Sequence, residues 1–429
     1  MRGAFAKFIL ILTNGIDDMI NDVIIIGGGA SGLCAAICLK QKNPYLSVKL
    51  FERQPRVGKK LATTGNGRCN ISNKNITLDR YHGKHLQFCE YALKKYNHSA
   101  YVKFFESIGV PFVYEGDRAY PASFQAASVV DCLRFAAEEL GVMIYTDTKI
   151  TNIQISGGKY KIIADKINFL AENVIVATGL FSGGEKLGCD GSMLSVLKKS
   201  GFSVVNTTPA IVQLKTVTDI VKQLKGIKVN ANATLKAGNK IIRTEYGETL
   251  FCDYGLSGPP ILQISREVSR IRDKCVVSLD LMPETEFDEL VNILENRVKN
   301  LKSRNLNEFF TGMLNKRLGQ VILKLCDCRL NDMAVTLDNL KIKKIASVIK
   351  NICFEVTGTA GFSSSQVTAG GLETTQFDDK TMMSESSGGL YAIGEILDID
   401  GDCGGFNLAW AWSSAMCAAD AIISSFQVT

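Results

Sequence analysis

The segment Asp22-Val-Ile-Ile-Ile-Gly-Gly-Gly-Ala-Ser-Gly-Leu33 sets Gly27, Gly29 and Gly32 at G-x-G-x-x-G spacing directly behind a β-branched run. Such a segment can bind an anion with backbone alone. Gly27 lets the chain turn sharply out of a strand, Gly29 lets backbone approach a pyrophosphate, and Gly32 lets the next helix pack on the sheet. With Gly28, Ala30 and Ser31 they form a loop whose helix start presents unpaired N–H groups and a positive dipole end, so no basic side chain is required. Twenty residues after Gly32, Ser47-Val-Lys-Leu-Phe-Glu52 reads as a second strand ending in an acid. Glu52 can accept bonds from ribose hydroxyls and disfavours a 2′-phosphate there, since two anions would meet. Arg53 follows it, and the cofactor-binding set so far is Gly27, Gly28, Gly29, Ala30, Ser31, Gly32, Glu52 and Arg53.

More of the chain has the same texture. Gly58-Lys-Lys-Leu-Ala-Thr-Thr-Gly-Asn-Gly-Arg-Cys-Asn70 is a loop rich in glycine and hydrogen-bonding side chains, and Asn173-Val-Ile-Val-Ala-Thr178-Gly179 is a buried strand running into glycine. Near the C-terminus, Gly389-Leu-Tyr-Ala-Ile-Gly394-Glu395 is a short strand ending in glycine and an acid, followed by Gly401-Asp-Cys-Gly-Gly405-Phe406-Asn407 and a helix of Ala, Trp and Ser. A simple NAD dehydrogenase needs no such distant second half, whereas the longer FAD does. Glu395 is then the candidate for the ribityl chain, and the backbone of Gly405 to Asn407 for the flavin N1 and C2 carbonyl region, where negative charge gathers on reduction.

These motifs need elements to hold them. Leu86 to Ile108 and Ser128 to Leu140 show helical apolar spacing, while Val142 to Ile155 and Lys159 to Ile167 read as strands. From about Phe202 the pattern shifts: apolar residues at 229, 231, 233 and 235 alternate as in a half-buried strand, and Ile241 to Phe251 and Cys275 to Leu281 supply more strands. Phe287 to Leu301, Asn307 to Cys326 and Leu340 to Ile352 then read as helices. The expected layout is an N-terminal extension over 1–20, an FAD-binding domain built from 21–201 and 354–429, an inserted antiparallel β domain over 202–283 and a helical one over 284–353. The fold class is α/β, a Rossmann-like FAD-binding domain of glutathione-reductase type with an inserted β-barrel-like domain and a small helical domain.

Bulk properties narrow the rest. With 429 residues, 46% hydrophobic and 21% charged, the chain has the composition of a globular protein of two or three domains. The net charge of +6 is spread without a long basic block, so no nucleic-acid partner is expected. Thirteen cysteines at irregular spacing, with no C-x-x-C pair, suit reduced thiols and a cytoplasmic location; three histidines in one stretch (82, 85, 98) suggest no metal site. The apolar run Phe8 to Leu12 is too short for a leader, no cleavage pattern follows it, and no stretch reaches the length of a membrane span.

Taken together, G-G-G-A-S-G, G-K-K-L-x-x-T-G-N-G-R-C-N, D-Y-G-L-S-G-P, T-A-G-G-L and G-L-Y-A-I-G-E-x-L-D-I-D-G-D-C-G-G-F-N-L-A-W-A-W-S-S resemble the BaiN-like or YhiN-like flavoproteins, some of which are called aminoacetone-oxidase-family FAD-binding enzymes. The resemblance runs from about Asp22 to Ala419. It implies a two-dinucleotide-type FAD domain with an inserted barrel and helical piece. It places Gly27 to Gly32 and Glu52 on the adenosine half, and Gly67, Arg68, Cys69, Asn70, Gly394, Glu395, Gly405, Phe406 and Asn407 nearer the flavin. Cys403 stands where threonine is expected and Phe406 where tyrosine is common. The implied activity is an FAD-dependent oxidoreductase passing hydride through flavin N5, with NADH or NADPH as transient co-substrate and a small-molecule substrate. Reduction of an activated C=C bond, as in a steroid or bile acid, leads; amine oxidation and RNA modification are the alternatives. Tyr254, in Asp253-Tyr-Gly-Leu-Ser-Gly258, is a candidate proton donor and equally a barrel-packing residue.

Overall fold

The computed structural model describes residues 16–428 apart from 157, 166, 272 and 302. The first part of the expected extension, up to residue 15, lies outside the described residues. From Ile16 the chain is already strand β1 (Ile16–Ile26). Its early residues pair with Asn168 and Phe169, and a register shift between Asp17 and Ile20 separates them from the regular ladder at Val23–Ile26. This early pairing comes from a partner strand far along the chain, so no local apolar pattern announces it.

β1 is followed by α1 (Ala30–Lys42) and β2 (Val48–Phe51). Helix α2 (Ala126–Glu139), β3 (Met143–Tyr145), β4 (Ile150–Ser156), β5 (Lys159–Ala164) and β6 (Asn168–Val176) follow. β7 (Leu390–Ala392) returns from the far end of the chain. The sheet order is β3-β2-β1-β6-β5-β4, with β7 also on β6. β1 is parallel to both β2 and β6, and Val23 to Ile26 are buried on both faces, as their unbroken apolar run requires. β6 changes partner along its length: Asn168–Ala171 pairs antiparallel with β5, and Val174–Val176 pairs parallel with β7. α1 is buried almost all round, Ser31 to Lys40, and the last helix α3 (Phe406–Val428) packs against it.

The chain divides into two compact units, one of residues up to Thr208 together with Gln366 onward, the other Pro209–Ser365. Within the second, Leu214–Thr216, Gly255–Ser257, Lys240–Phe251, Lys228–Ala237, Cys275–Asp280 and Ile352–Thr359 close into a barrel in that order. Ala231, Ala233 and Leu235 are fully buried, which is the alternation their spacing predicts. Helices Phe287–Asn300, Lys316–Leu325 and Asn339–Lys350 belong to the same unit.

Two expected helices are shorter than their apolar spacing. Leu86 to Ile108 breaks into a 3-10 turn, a helix Glu90–Lys95 and a helix His98–Ser107, because Asn97 starts the latter by accepting from the Ser99 amide. Likewise Asn307 to Cys326 has a 3-10 turn at Leu306–Glu308 and becomes α-helical only at Lys316, where the Asn315 side chain accepts from the Arg317 and Leu318 amides.

Candidate functional site

At the end of β1, Gly27 has φ +109°, and a Cβ there would lie 2.5 Å from the Ala177 carbonyl oxygen. A Cβ on Gly32 would lie 1.9 Å from the Gly27 carbonyl oxygen. Both glycines are therefore dictated by the protein's own packing. Gly29 is different: its φ is −83° and a Cβ there would meet nothing within 4 Å. No neighbour in the chain requires a glycine there, as suits a position left open for close approach by a ligand. Gly29 is also the N-cap of α1 and gives that helix no side-chain cap, so the first-turn amides face the same opening.

Glu52 is built into this loop. Its Oε2 accepts from the Gly28 amide at 2.9 Å and its Oε1 from the Gln54 amide at 2.8 Å. Burial pushes its carboxyl up, against the pull of these amides towards the ionised form. A cleft there is lined by Gly27, Glu52, Arg53, Thr178 and Gly179, all expected, and by Thr148, Lys149, Asp190, Gly191 and Ser192, which sequence reasoning missed. Arg53 is ion-paired with Asp190, and Lys149 reaches the same carboxylate at 3.4 Å. Burial opposes ionisation of Asp190, but the Ser192 amide and the Arg53 guanidinium outweigh it and hold the carboxyl below its usual range. The motif Gly188-Cys-Asp-Gly-Ser192 was the available sequence signal.

The distant C-terminal motifs pack against the N-terminal segments. Gly394, at φ +70°, lies so close to the start of α1 that a Cβ would be 2.8 Å from Ser31 Oγ. Its amide donates to Ser414 Oγ at 3.0 Å, and its carbonyl accepts from Trp410 Nε1 at 3.1 Å, which fixes it on α3. Gly405 presses on the other loop: a Cβ there would be 2.6 Å from the Ser72 carbonyl carbon and 2.9 Å from Asn70 Oδ1. Asn73 Nδ2 donates to the Gly404 carbonyl at 3.0 Å, Tyr81 Oη to the Phe406 carbonyl at 3.0 Å, and Trp412 Nε1 to the Ile71 carbonyl at 3.0 Å. The two remote ends of the chain thus pack on each other, Gly394 against the start of α1 and Gly405 against Asn70–Ser72.

Several predicted side chains are already occupied within the protein. Glu395 Oε2 is ion-paired with Lys60, and its Oε1 accepts from Ser182 Oγ at 2.5 Å and from the Thr368 amide at 3.1 Å. Asn407 spends its amide on Gly401, accepting from its N–H at 2.8 Å and donating to its carbonyl at 2.7 Å. Phe406 is buried edge-on to Tyr81, with ring centroids 5.9 Å apart. Arg68 pairs with Glu115 and lies over the Tyr120 and Phe124 rings, at 4.6 and 4.5 Å. Cys69 sits at φ +58° with its thiol pushed up to about 12 by burial, and burial also raises Cys403; both are protonated at neutral pH. Tyr254 belongs to the barrel unit, 38% exposed, its phenol raised to about 12 by burial and then by Cys252. No cluster of His, Cys, Asp or Glu that could hold a metal occurs among the described residues.

An uncapped helix start, an open Gly29 and a carboxylate at a second strand's end fit a dinucleotide. The family model described as the HI0933-like protein Rossmann domain matches residues 21–421. The chain belongs to this HI0933-like family. It is 33% identical over 401 residues to a 3-dehydro-bile acid delta(4,6)-reductase of Clostridium scindens, with 93% of this chain and 98% of the relative covered. It is 26% identical to a ribosomal RNA dihydrouridine synthase of Escherichia coli, over 94% and 98% of the two chains. Among solved structures, a 3-ketosteroid-delta4-(5alpha)-dehydrogenase from Rhodococcus jostii, in complex with 4-androstene-3,17-dione, shares the fold with a TM-score of 0.50 at 15% identity, covering 95% of this chain and 97% of that one. This HI0933-like chain is an FAD-dependent oxidoreductase with a Rossmann-type dinucleotide domain, in keeping with the family expected from its motifs. No helix among the described residues is long and apolar enough to cross a membrane.

Glu52→Ala removes the acceptor of the Gly28 and Gln54 amides. The expected result is loss of about 1–3 kcal/mol of stability, together with a larger loss of FAD retention. Urea unfolding and FAD titration, run in parallel, read the two effects. Equal losses would make Glu52 a brace for the loop only.

Proposed function

We propose that the protein reduces a C=C bond conjugated to a carbonyl, in a small steroid-like substrate, with NADH or NADPH as electron source. The observation that supports this most is the near-complete alignment with the bile-acid reductase, 93% of this chain against 98% of that one. The names of both relatives denote saturation of a C=C bond, so the shared chemistry is hydride addition to an activated alkene. Bound FAD supplies hydride transfer at N5.

The protein's own residues hold, orient and protonate. The first-turn amides of α1 bind the pyrophosphate and Glu52 binds the ribose. The backbone of Gly405 to Asn407, at the start of the 23-residue α3, steadies negative charge on the pyrimidine side. Tyr254 donates a proton to the substrate carbon. Its phenol is partly exposed and fully protonated at neutral pH. Tyr254→Phe is expected to slow reoxidation by the substrate about 100-fold while leaving reduction by the nicotinamide nucleotide unchanged; slowing of both half-reactions alike would remove it from this role.

The test is anaerobic reduction of the FAD-loaded protein by NADH and by NADPH, followed by mixing with a 4-en-3-one steroid, a primary amine, oxygen or uridine-containing RNA. Fast return of oxidised flavin with the steroid supports the proposal. Fast return with RNA alone would transfer the chemistry to a uridine base, and no return with any alkene would end it.

A further inference from the structure

We propose that Lys60 is the counter-ion that allows the Glu395 carboxylate to stand beside an anionic dinucleotide, an inference that rests on the FAD reading above. Four separate segments meet here. Lys60 pairs with Glu395 and also donates to Ser182 Oγ. Ser182 in turn donates to Glu395 Oε1, which also accepts from the Thr368 amide. Thr368 Oγ1 accepts from the Phe181 and Ser182 amides at 3.1 and 3.0 Å, locking that segment to the acid.

The pair flanks the start of α1 from two sides. The Gly58 amide, two residues before Lys60, donates to the Gly28 carbonyl at 2.8 Å, and Gly394, just before Glu395, abuts Ser31. The Lys60 and Glu395 side chains are 26% and 18% exposed, so water only partly screens their charges. A carboxylate at this depth repels a pyrophosphate unless its charge is matched. Lys60 matches it by pairing with the acid itself and with the serine that the acid also holds. Neighbouring Lys59 points elsewhere, donating to Gln54 Oε1 at 2.8 Å, which makes it a control of equal charge.

The experiment measures FAD dissociation constants by fluorescence quenching for the wild type, Lys60→Met, Lys60→Arg, Lys59→Met and the double variant Lys60→Met with Glu395→Gln, with a circular-dichroism melt of each. Lys60→Met should weaken FAD binding at least tenfold; Lys60→Arg and Lys59→Met should stay near wild type. The deciding observation is the double variant, in which neutralising the acid should recover most of the loss. Unchanged binding in Lys60→Met would overturn the proposal. So would a double variant as weak as the single one, because Lys60 would then act as a direct phosphate ligand or a brace. A drop in melting temperature that matches the affinity loss in Lys60→Met would also overturn it. A wild type that takes up no FAD would instead sink the FAD reading itself, and is told apart by occurring before any substitution.

Discussion

Gly32→Ala is expected to yield a protein that neither holds FAD nor keeps its stability. The added Cβ would sit 1.9 Å from the Gly27 carbonyl oxygen, a backbone atom that cannot swing aside, so α1 must move off the end of β1. Forcing atoms into a packed interior costs about 1–3 kcal/mol, and a collision with backbone belongs at or above the upper end. Gly29→Ala is the matched comparison, because there the Cβ enters open space from an ordinary φ of −83°. Its stability should stay within about 1 kcal/mol of wild type, the scale of an N-cap change. FAD affinity should nevertheless fall by about 1.4 kcal/mol or more, tenfold in Kd, because the methyl stands where the phosphates approach. Urea unfolding and FAD titration on both variants separate packing from binding. Wild-type FAD affinity in Gly29→Ala would falsify the placement of the pyrophosphate.

Trp412→Ala should be the most damaging change in the last helix. The side chain is fully buried, stands edge-on to Phe105 at 5.2 Å, and donates to the Ile71 carbonyl at 3.0 Å. Emptying such a site costs about 3–5 kcal/mol, and the Ile71 carbonyl also loses its partner. Because Ile71 follows Asn70, slackening should reach the loop that Gly405 presses against. Trp412→Phe keeps most of the volume and loses the N–H, so its cost should fall to about 1–3 kcal/mol. Thermal unfolding followed by release of flavin fluorescence reads both variants. Equal midpoints for the two would assign the effect to the hydrogen bond alone.

Much of the first half of the crevice was legible because its signals are local. The run Val23 to Ile26, the glycines behind it and Glu52 at the next strand's end each follow from a rule about neighbours in sequence, and the Gly28–Glu52 bond joins residues only one βαβ unit apart. The alternation 229, 231, 233, 235 likewise showed one barrel strand. The helix breaks at Asn97 and Asn315 were also readable: each asparagine accepts from amides two or three residues on, a capping signal that apolar spacing had masked. What the sequence hid lies in bonds between distant segments. Lys60 and Glu395 are 335 positions apart, and neither neighbourhood announces that the acid expected for the ribityl chain is held by a lysine, a serine and an amide. Asn407 lies in the first turn of α3, and its side chain is taken up by Gly401, which leaves only its backbone for a ligand.

The parallel seam between Val174–Val176 and Leu390–Ala392 has a consequence for biosynthesis. The nascent chain cannot complete its nucleotide domain when residues up to Thr208 leave the ribosome, since the edge of β6 and one flank of α1 must wait for segments that follow the barrel unit. The barrel unit, contiguous in sequence from Pro209 to Ser365, is free to mature during that wait. Loading of the flavin therefore waits until the whole barrel unit has been made, and a chain that stops short of Leu390–Ala392 offers an open strand edge in its place.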